Sequence, residues 1–530
     1  MRLLQAITRR GSGSGSRGMS RARRWGRRLS FRPLFRAWEA ALRGRLNSDW
    51  RLGGGNINQE LRSQLPIVRE KARWLEHNSA IARSYLALVE THVVGPEGFM
   101  LQVQGERRRG ESDSEGNLLV ERAFREWGRQ GVCEVSGRLD FVGLCRMLVR
   151  TEARDGEALL RMHDARPTED NPFGFVLEAI DPARLDVQLN EDRLKNGNTI
   201  RLGVELNRNG RPVAYWLKSG ENNEMGWPQG YVRVDASDII HWYEPERPEQ
   251  LRGVSRMASV IESVHQLRKY RNAALVAARA GASKMGFLSR DPAMGALAAT
   301  DDGERDEDGY DLREFEPGQI DELPPGVTFH GWDPKYPHEN FEPFVRAGER
   351  EIAIALGVSY HSLTGDLTEV NYSSIRTGSL EERDRWRVRQ EAFAAAVLRR
   401  VYRRWLNNAA LNGQLGVRLS LAEQLRRYAR HRWQGRRWSW VDPEKDIKAT
   451  VMAINAGLTS PQRVASEMGL DYEEVLEQIA RWQETAAAKG VRFPVVQNAG
   501  GNEQPAPQPG RAAAAGGRVV PLAPIDGDER

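Results

Sequence analysis

The chain has 530 residues, 40% hydrophobic and 28% charged, with a formal net charge of +6. That length supports roughly three or four domains with packed cores. No stretch approaches the 18 or more continuous apolar residues of a membrane span. Two cysteines, Cys133 and Cys145, exclude a disulfide scaffold and match no zinc knuckle or redox pair, so buried free thiols in a reducing compartment are expected.

The first 46 residues hold 13 arginines, no lysine and one acid, Glu39, a local charge of +12 that leaves the rest of the chain at −6. Met1-Arg2-Leu3-Leu4 meets Arg9 and Arg10 too soon for the apolar run of a secretory signal. Arg21, Arg23, Arg24, Arg27 and Arg28, interleaved with Trp25, Phe31, Phe35 and Trp38, give the footprint of an arm that contacts a polyanion, either DNA or an acidic scaffold. A solvated arm without a dedicated partner is the plainer alternative. Residues 10–18, RGSGSGSRG, read as a linker.

From 64 to 92, Leu65, Val68, Ala72, Leu75, Ile81, Leu86 and Val89 predict one long helix, ended by Gly95-Pro96. Two more helices are expected over 119–130 and 140–152. A β-rich block follows, with short strands at 175–177, 185–187, 231–234 and 239–243 and a hairpin of 199–206 with 212–218 turned by Asn207-Arg208-Asn209-Gly210. These elements form one α+β domain over about 47–253. A long helix over 255–283, Ala-rich in its second half, leads into a block at 286–340. Within 301–323, 11 acids against two arginines give a local net charge of −9. Asp301, Asp302, Glu304, Asp306, Glu307, Asp308 and Asp311 head this run, which suits either a partner-docking tip or a solvated loop. A return helix over 342–356 completes the outline of a stalk with a tip.

Residues 357–378, GVSYHSLTGDLTEVNYSSIRTG, are rich in turn formers and join that return helix to a long helix over 380–406. The segment carries polar groups and almost no catalytic chemistry, which fits a mechanical or contact role as well as an ordinary connection. Residues 409–496 read as helical. Within them 426–440 is basic and aromatic, with six arginines among Trp433, Trp438 and Trp440. Residues 497–530 are rich in Ala, Gly, Pro and Gln, the composition of a disordered tail.

No G-x-x-x-x-G-K-[ST], H-E-x-x-H or G-x-S-x-G occurs, and the nine histidines show no ligand spacing. Asp181 and Asp186 read as turn and edge residues rather than a catalytic pair. Catalysis, a metal site and a cofactor are therefore not expected.

Three segments, IIHWYEPERPEQLRGV (239–254), LTGDLTEVNYSSIR (363–376) and WSWVDPEKDIKATVMAINAGLTSPQRVASEMGLDYEEV (438–475), resemble the lambda-type tailed-phage portal family in order and spacing. The resemblance covers most of the chain from Ser48 to Gln483 and fails at both ends. It implies an α+β, multidomain, ring-forming subunit. The α/β wing is 47–253, the stem helices 255–283 and 342–356, the clip 286–340, the long wing helix 380–408 and the helical crown 409–496. It further implies a tunnel loop facing a central channel, built from Asp366, Leu367, Thr368, Glu369, Val370, Asn371, Tyr372, Ser373, Ser374 and Arg376. In such a family the expected assembly is a homo-oligomer, usually of twelve copies, at one capsid vertex of the virion, put together in the host cytoplasm. The expected partners are double-stranded DNA, the terminase motor, a head–tail adaptor, and scaffold and capsid proteins. A basic DNA-processing enzyme, or a minor head protein without a channel, are the rival readings.

Overall fold

The computed structural model describes residues 55–219, 230–282, 286–290, 304–305, 311–312, 327–331, 340–368, 372–438, 443–468, 470 and 472–489. The chain divides into two units, Met1–Asn56 and Ile57–Arg530. Of the first, only Gly55 and Asn56 are described, so Arg21, Arg23, Arg24, Arg27 and Arg28 lie outside the described residues.

The second unit opens with helix α1, Ile57–Asn78, which buries Leu61, Leu65, Ala72 and Leu75 along one face. It starts earlier than its apolar stripe predicts. It stops at Ser79, whose hydroxyl caps helix α2, Ala80–Val89, by accepting from the Ala82 N–H. The single helix expected over 64–92 is thus two, with a π-helical turn, Glu90–Val94, at the end. Next come β1 (Met100–Val103), β2 (Glu106–Arg108) and β3 (Glu111–Ser112), then α3 (Ser114–Trp127) and α4 (Phe141–Asp155). Asp113 and Asp140 cap these two helices through the N–H groups of Gly116 and Gly143.

The β block holds β4 (Ala158–Asp164), β5 (Phe175–Ile180), β6 (Thr199–Arg201), β7 (Val204–Leu206), β8 (Pro212–Lys218), β9 (Tyr231–Asp235) and β10 (Ile239–Trp242). It forms two antiparallel sheets, β10-β4-β5 and the meander β6-β7-β8-β9. The expected strand 199–206 is split by Leu202 and Gly203, both at positive φ, into a second hairpin. The Asn207–Gly210 turn joins β7 to β8 as its sequence predicts.

Helix α5, Ile261–Ala282, leads to β11 (Gly286–Arg290), β12 (Glu304–Arg305), β13 (Asp311–Leu312) and β14 (Val327–Gly331), and α6, Phe341–Leu356, returns. β11 pairs with β14 and β12 with β13, both antiparallel. α5 meets α6 through Tyr270, stacked on Phe341 and edge-on to Phe344, and through an Arg271–Glu349 ion pair. The remaining described elements are helices apart from one strand: α7 (Tyr360–Thr364), α8 (Tyr372–Phe393), a π-helical stretch (Ala394–Leu398), α9 (Arg399–Leu411), α10 (Leu421–Tyr428), β15 (His431–Gln434), α11 (Pro443–Asn455), α12 (Pro461–Met468) and α13 (Tyr472–Ala488).

β15 falls inside the segment read as helical. It pairs with β1, from Met100 opposite Gln434 to Val103 opposite His431. The main core gathers α2, α3, α4, β5 and α9 around an aromatic cluster of Phe124, Trp127, Phe175, Tyr402 and Trp405. The Trp127 indole N–H is satisfied by the Phe175 carbonyl at 2.8 Å. A second core lies between the sheets, where Leu159, Ile180, Tyr215, Leu217 and Val234 meet. Cys133 and Cys145 are buried and unbridged. Burial pushes both thiols upward, Cys133 to about 12, so neither is a ready nucleophile.

Two glycines hold α4 against the strand-to-helix link that precedes α5. Gly156 has φ +92°, and a Cβ there would lie 2.3 Å from the Val254 carbonyl carbon. A Cβ on Gly253 would sit 1.9 Å from the Gly156 carbonyl oxygen. Gly253→Ala is therefore expected to lose about 2 kcal/mol or more. A drop in the thermal unfolding midpoint checks it, and an unshifted midpoint would contradict it.

Candidate channel loop and docking surfaces

The segment after α6 is tightly held. α7 is pinned from one side by the Ser84 hydroxyl, which donates to the Leu363 carbonyl at 2.7 Å, and Leu363 itself is buried. From the other side Glu382 of α8 reaches over. Its Oε2 accepts from the Ser359 hydroxyl at 2.6 Å, the Ser362 hydroxyl at 3.1 Å and the Ser359 N–H at 3.2 Å, while Oε1 accepts from the Trp386 indole at 3.1 Å. Arg385 donates to the Gly357 carbonyl at 2.9 Å. Glu382 is only 6% exposed, so these four donors replace its water. Glu382→Ala should raise amide exchange across 357–368 by about tenfold or more, the scale of 1–3 kcal/mol for stranded donors. Hydrogen exchange reads this directly, and unchanged protection would contradict it.

Past Gly365, at φ +74°, the chain turns on Asp366. Its Oδ1 accepts from the Thr368 hydroxyl at 2.6 Å and the Thr368 N–H at 2.9 Å, and its Oδ2 from the Tyr360 hydroxyl at 2.9 Å. The Thr368 hydroxyl and N–H, then Tyr360 and the Arg346 charge, hold the Asp366 carboxyl down at about 2. Leu367, 63% exposed, stands at the apex.

Of the residues assigned to the loop by sequence, Asp366, Leu367 and Thr368 form this turn, and Glu369, Val370 and Asn371 lie outside the described residues. Tyr372, Ser373, Ser374 and Arg376 are helical, because α8 begins at Tyr372 rather than near Leu380. The turn formers Ser373, Ser374 and Gly378 are overridden by continuity with a helix whose far end packs Trp386 and Phe393 into the core.

The acidic tip is described in part. Glu304 lies in β12 and Asp311 in β13, whereas Asp301, Asp302, Asp306, Glu307 and Asp308 lie outside the described residues. The basic run 426–440 is not one free patch. Arg427 pairs with Asp113 at 3.0 Å, Arg430 with Glu106 at 3.1 Å, and Arg436 donates to the Thr91 carbonyl at 2.5 Å. Trp438 donates to His92 at 2.9 Å, and His92 stacks between Trp386 and Trp438. Among the described residues no group of three or more His, Cys, Asp or Glu side chains is placed to hold a metal ion. No described helix is long and apolar enough to cross a membrane.

The family model described as "Phage portal protein, lambda family" matches residues 43–390. The chain belongs to the lambda family of phage portal proteins. It is 33% identical over 452 residues to the probable portal protein of Halomonas phage phiHAP-1, covering 84% of this chain and 86% of that one. It is 23% identical to portal protein B of Escherichia phage lambda, covering 85% and 89%. Two solved structures, "Neck of empty GTA particle computed with C6 symmetry" and "Virion of native gene transfer agent (GTA) particle", are 16% and 15% identical. Their TM-scores are 0.41 and 0.40, with 77% and 80% of this chain and 94% and 96% of those chains covered.

Within this portal-family chain, sequence reasoning missed the ionic centre that joins α1, β4, β10 and the 239–254 segment. Glu157 is fully buried and faces Arg252, also fully buried, at 2.5 Å, Arg69 at 2.7 Å and His241 at 2.9 Å. Arg252 donates further to the carbonyls of Leu185 and Leu202 at 2.8 Å. Burial alone would raise the Glu157 pKa, but the Arg252 charge and the hydrogen bonds from His241 and Arg252 hold it well below the carboxylate range. Burial lowers the His241 pKa, and with two arginines already opposing the carboxylate the ring stays neutral and donates through Nε2. A second buried acid, Glu152, joins Arg256 at 2.8 Å and Arg389 at 2.7 Å, which ties α4 to α8. No periodicity marks these residues. The only sequence signal is that Glu157 directly precedes the apolar strand β4 while Arg252 lies in the link between β10 and α5.

Proposed function

We propose that this chain is a ring-forming portal subunit. Copies close around a channel at one capsid vertex of the virion, after assembly in the host cytoplasm. Double-stranded DNA passes inward through that channel during packaging and outward at ejection. The observation that carries the reading is the family match across residues 43–390.

The paired helices α5 and α6 support the assembly. They leave Leu275, Val276, Phe344 and Ile354 between 52% and 79% exposed. A heterologous contact whose rotation closes would cover these side chains with the next copy. The anchored turn at Asp366–Thr368 supports the channel role. A channel must touch a polyanion without trapping it, and dense Lys/Arg rings would bind phosphate strongly. This turn offers a hydroxyl, an apolar tip and an ionised carboxylate 3.7 Å from Arg346, so weak contact is balanced by repulsion. The protein acts structurally and without a cofactor. The rival enzyme reading draws on the Arg-rich arm, which lies outside the described residues, and on the 426–440 arginines, where ion pairs and a backbone carbonyl occupy Arg427, Arg430 and Arg436.

The native mass of the purified protein tests the ring. A multiple of 59.8 kDa on the order of twelve is expected, and a monomer or dimer under all conditions would overturn it.

The acidic run at 301–323 is, in this reading, a docking surface for the terminase motor or a head–tail adaptor. Neutralising Asp301, Asp302, Asp306, Glu307 and Asp308 together should weaken motor binding by about tenfold or more at low salt, and less at high salt. Binding unchanged at both would remove the assignment.

A further inference from the structure

We propose that a groove beside β1 and β15 is the docking site of this chain's own C-terminal segment, Val519–Arg530. The groove has a volume of about 1450 Å³ and lies between α3, the β1–β15 pair and helices α12–α13. Seven arginines line it, among them Arg122 and Arg125 of α3 and Arg432 of β15. All three are exposed, and none makes an ion pair among the described residues. Of the four glutamates on the same lining, Glu121, Glu106 and Glu477 are committed to the Val103 N–H, Arg430 and Arg481, and Glu97 is exposed. The exposed large apolar side chains on the lining are Met100, Met468, Leu470 and Leu476, each between 37% and 46% exposed.

A surface that is basic on one part and apolar on another fits a peptide with acidic and apolar stretches. A phosphate backbone would leave the methionines and leucines in water. The chain carries such a segment, VVPLAPIDGDER. Val519, Val520, Leu522 and Ile525 come first, followed by Asp526, Asp528 and Glu529. It is also tethered nearby. Arg481 of α13 lines the groove, α13 ends at Ala488, and the 30 residues 489–518 separate it from Val519. A coil of that length has a typical span of about 30 Å, and tethering at such a distance gives millimolar effective concentrations. A weak intrinsic affinity therefore suffices to fill the groove within one chain.

The test uses a fluorescein-labelled synthetic peptide of residues 518–530, with anisotropy read against the full-length chain and a chain lacking Val519–Arg530. The shortened chain should bind the peptide about tenfold or more tightly than the full-length chain, whose own segment competes. Raising salt should weaken binding, as should the exchange Arg122→Glu with Arg125→Glu and Arg432→Glu. The peptide carrying Asp526→Asn, Asp528→Asn and Glu529→Gln should lose affinity as well, which keeps the test independent of how the arginine variant folds. Equal binding by the two chains, no binding at millimolar peptide, or binding indifferent to both sets of substitutions would overturn the proposal. So would a DNA duplex that binds the shortened chain where the peptide does not.

Discussion

Replacing Glu157 by alanine is expected to cost about 3–5 kcal/mol of folding stability, the largest effect of any single substitution argued from this structure. The reason is asymmetry. Glu157 and Arg252 are both fully buried, and Arg69 and His241 close the centre around the carboxylate. Removing the acid leaves Arg252 with no compensating charge in a site that water does not reach, and it keeps only backbone carbonyls as partners. Glu157→Gln, which keeps shape and some hydrogen bonds, should cost less. Denaturant unfolding measures both, and a loss under about 1 kcal/mol for Glu157→Ala would contradict this account.

The same centre, together with His92 between Trp386 and Trp438, predicts acid lability. His241 has a folded pKa below its ordinary 6.5, and His92, where burial acts first and the Arg436 charge second, falls to about 4. A group with a depressed folded pKa favours the folded state above its unfolded pKa and loses that contribution as pH falls. Stability should therefore decline from about pH 6.5 downward as unfolded histidines take up protons. It should decline further below the ordinary glutamate value of 4.5, where unfolded Glu157 protonates first.

The second large effect concerns the channel. Deleting residues 367–371, from the second half of the Asp366 turn to the start of α8, should leave oligomers intact while packaged DNA falls by about tenfold or more, the scale on which misplaced contacts act. The deletion spares the anchors, Ser84, Ser359, Ser362 and Glu382, so α7 stays seated. Assembly and packaging are thereby separated. Wild-type packaging by the deleted form would remove these residues from the channel.

Much of this fold was legible in the chain, and the failures share one cause. Helices α5 and α6 and the hairpin at Asn207–Gly210 are local, written within a few residues of themselves. β15 was read as helix because its strand character depends on β1, more than 300 residues away. The Glu157–Arg252 pair spans 95 positions and carries no period. α8 begins earlier than its turn formers predict because its far end is fixed in the core. The loop's polar character was visible in sequence. Its rigidity was not, because Glu382 and Ser84 approach it from other helices.

The most direct measurement is electron microscopy of the purified full-length protein. Class averages viewed down the symmetry axis should show closed rings with an axial hole wide enough for duplex DNA. Compact particles with no hole, both in solution and when taken from assembled heads, would contradict the account.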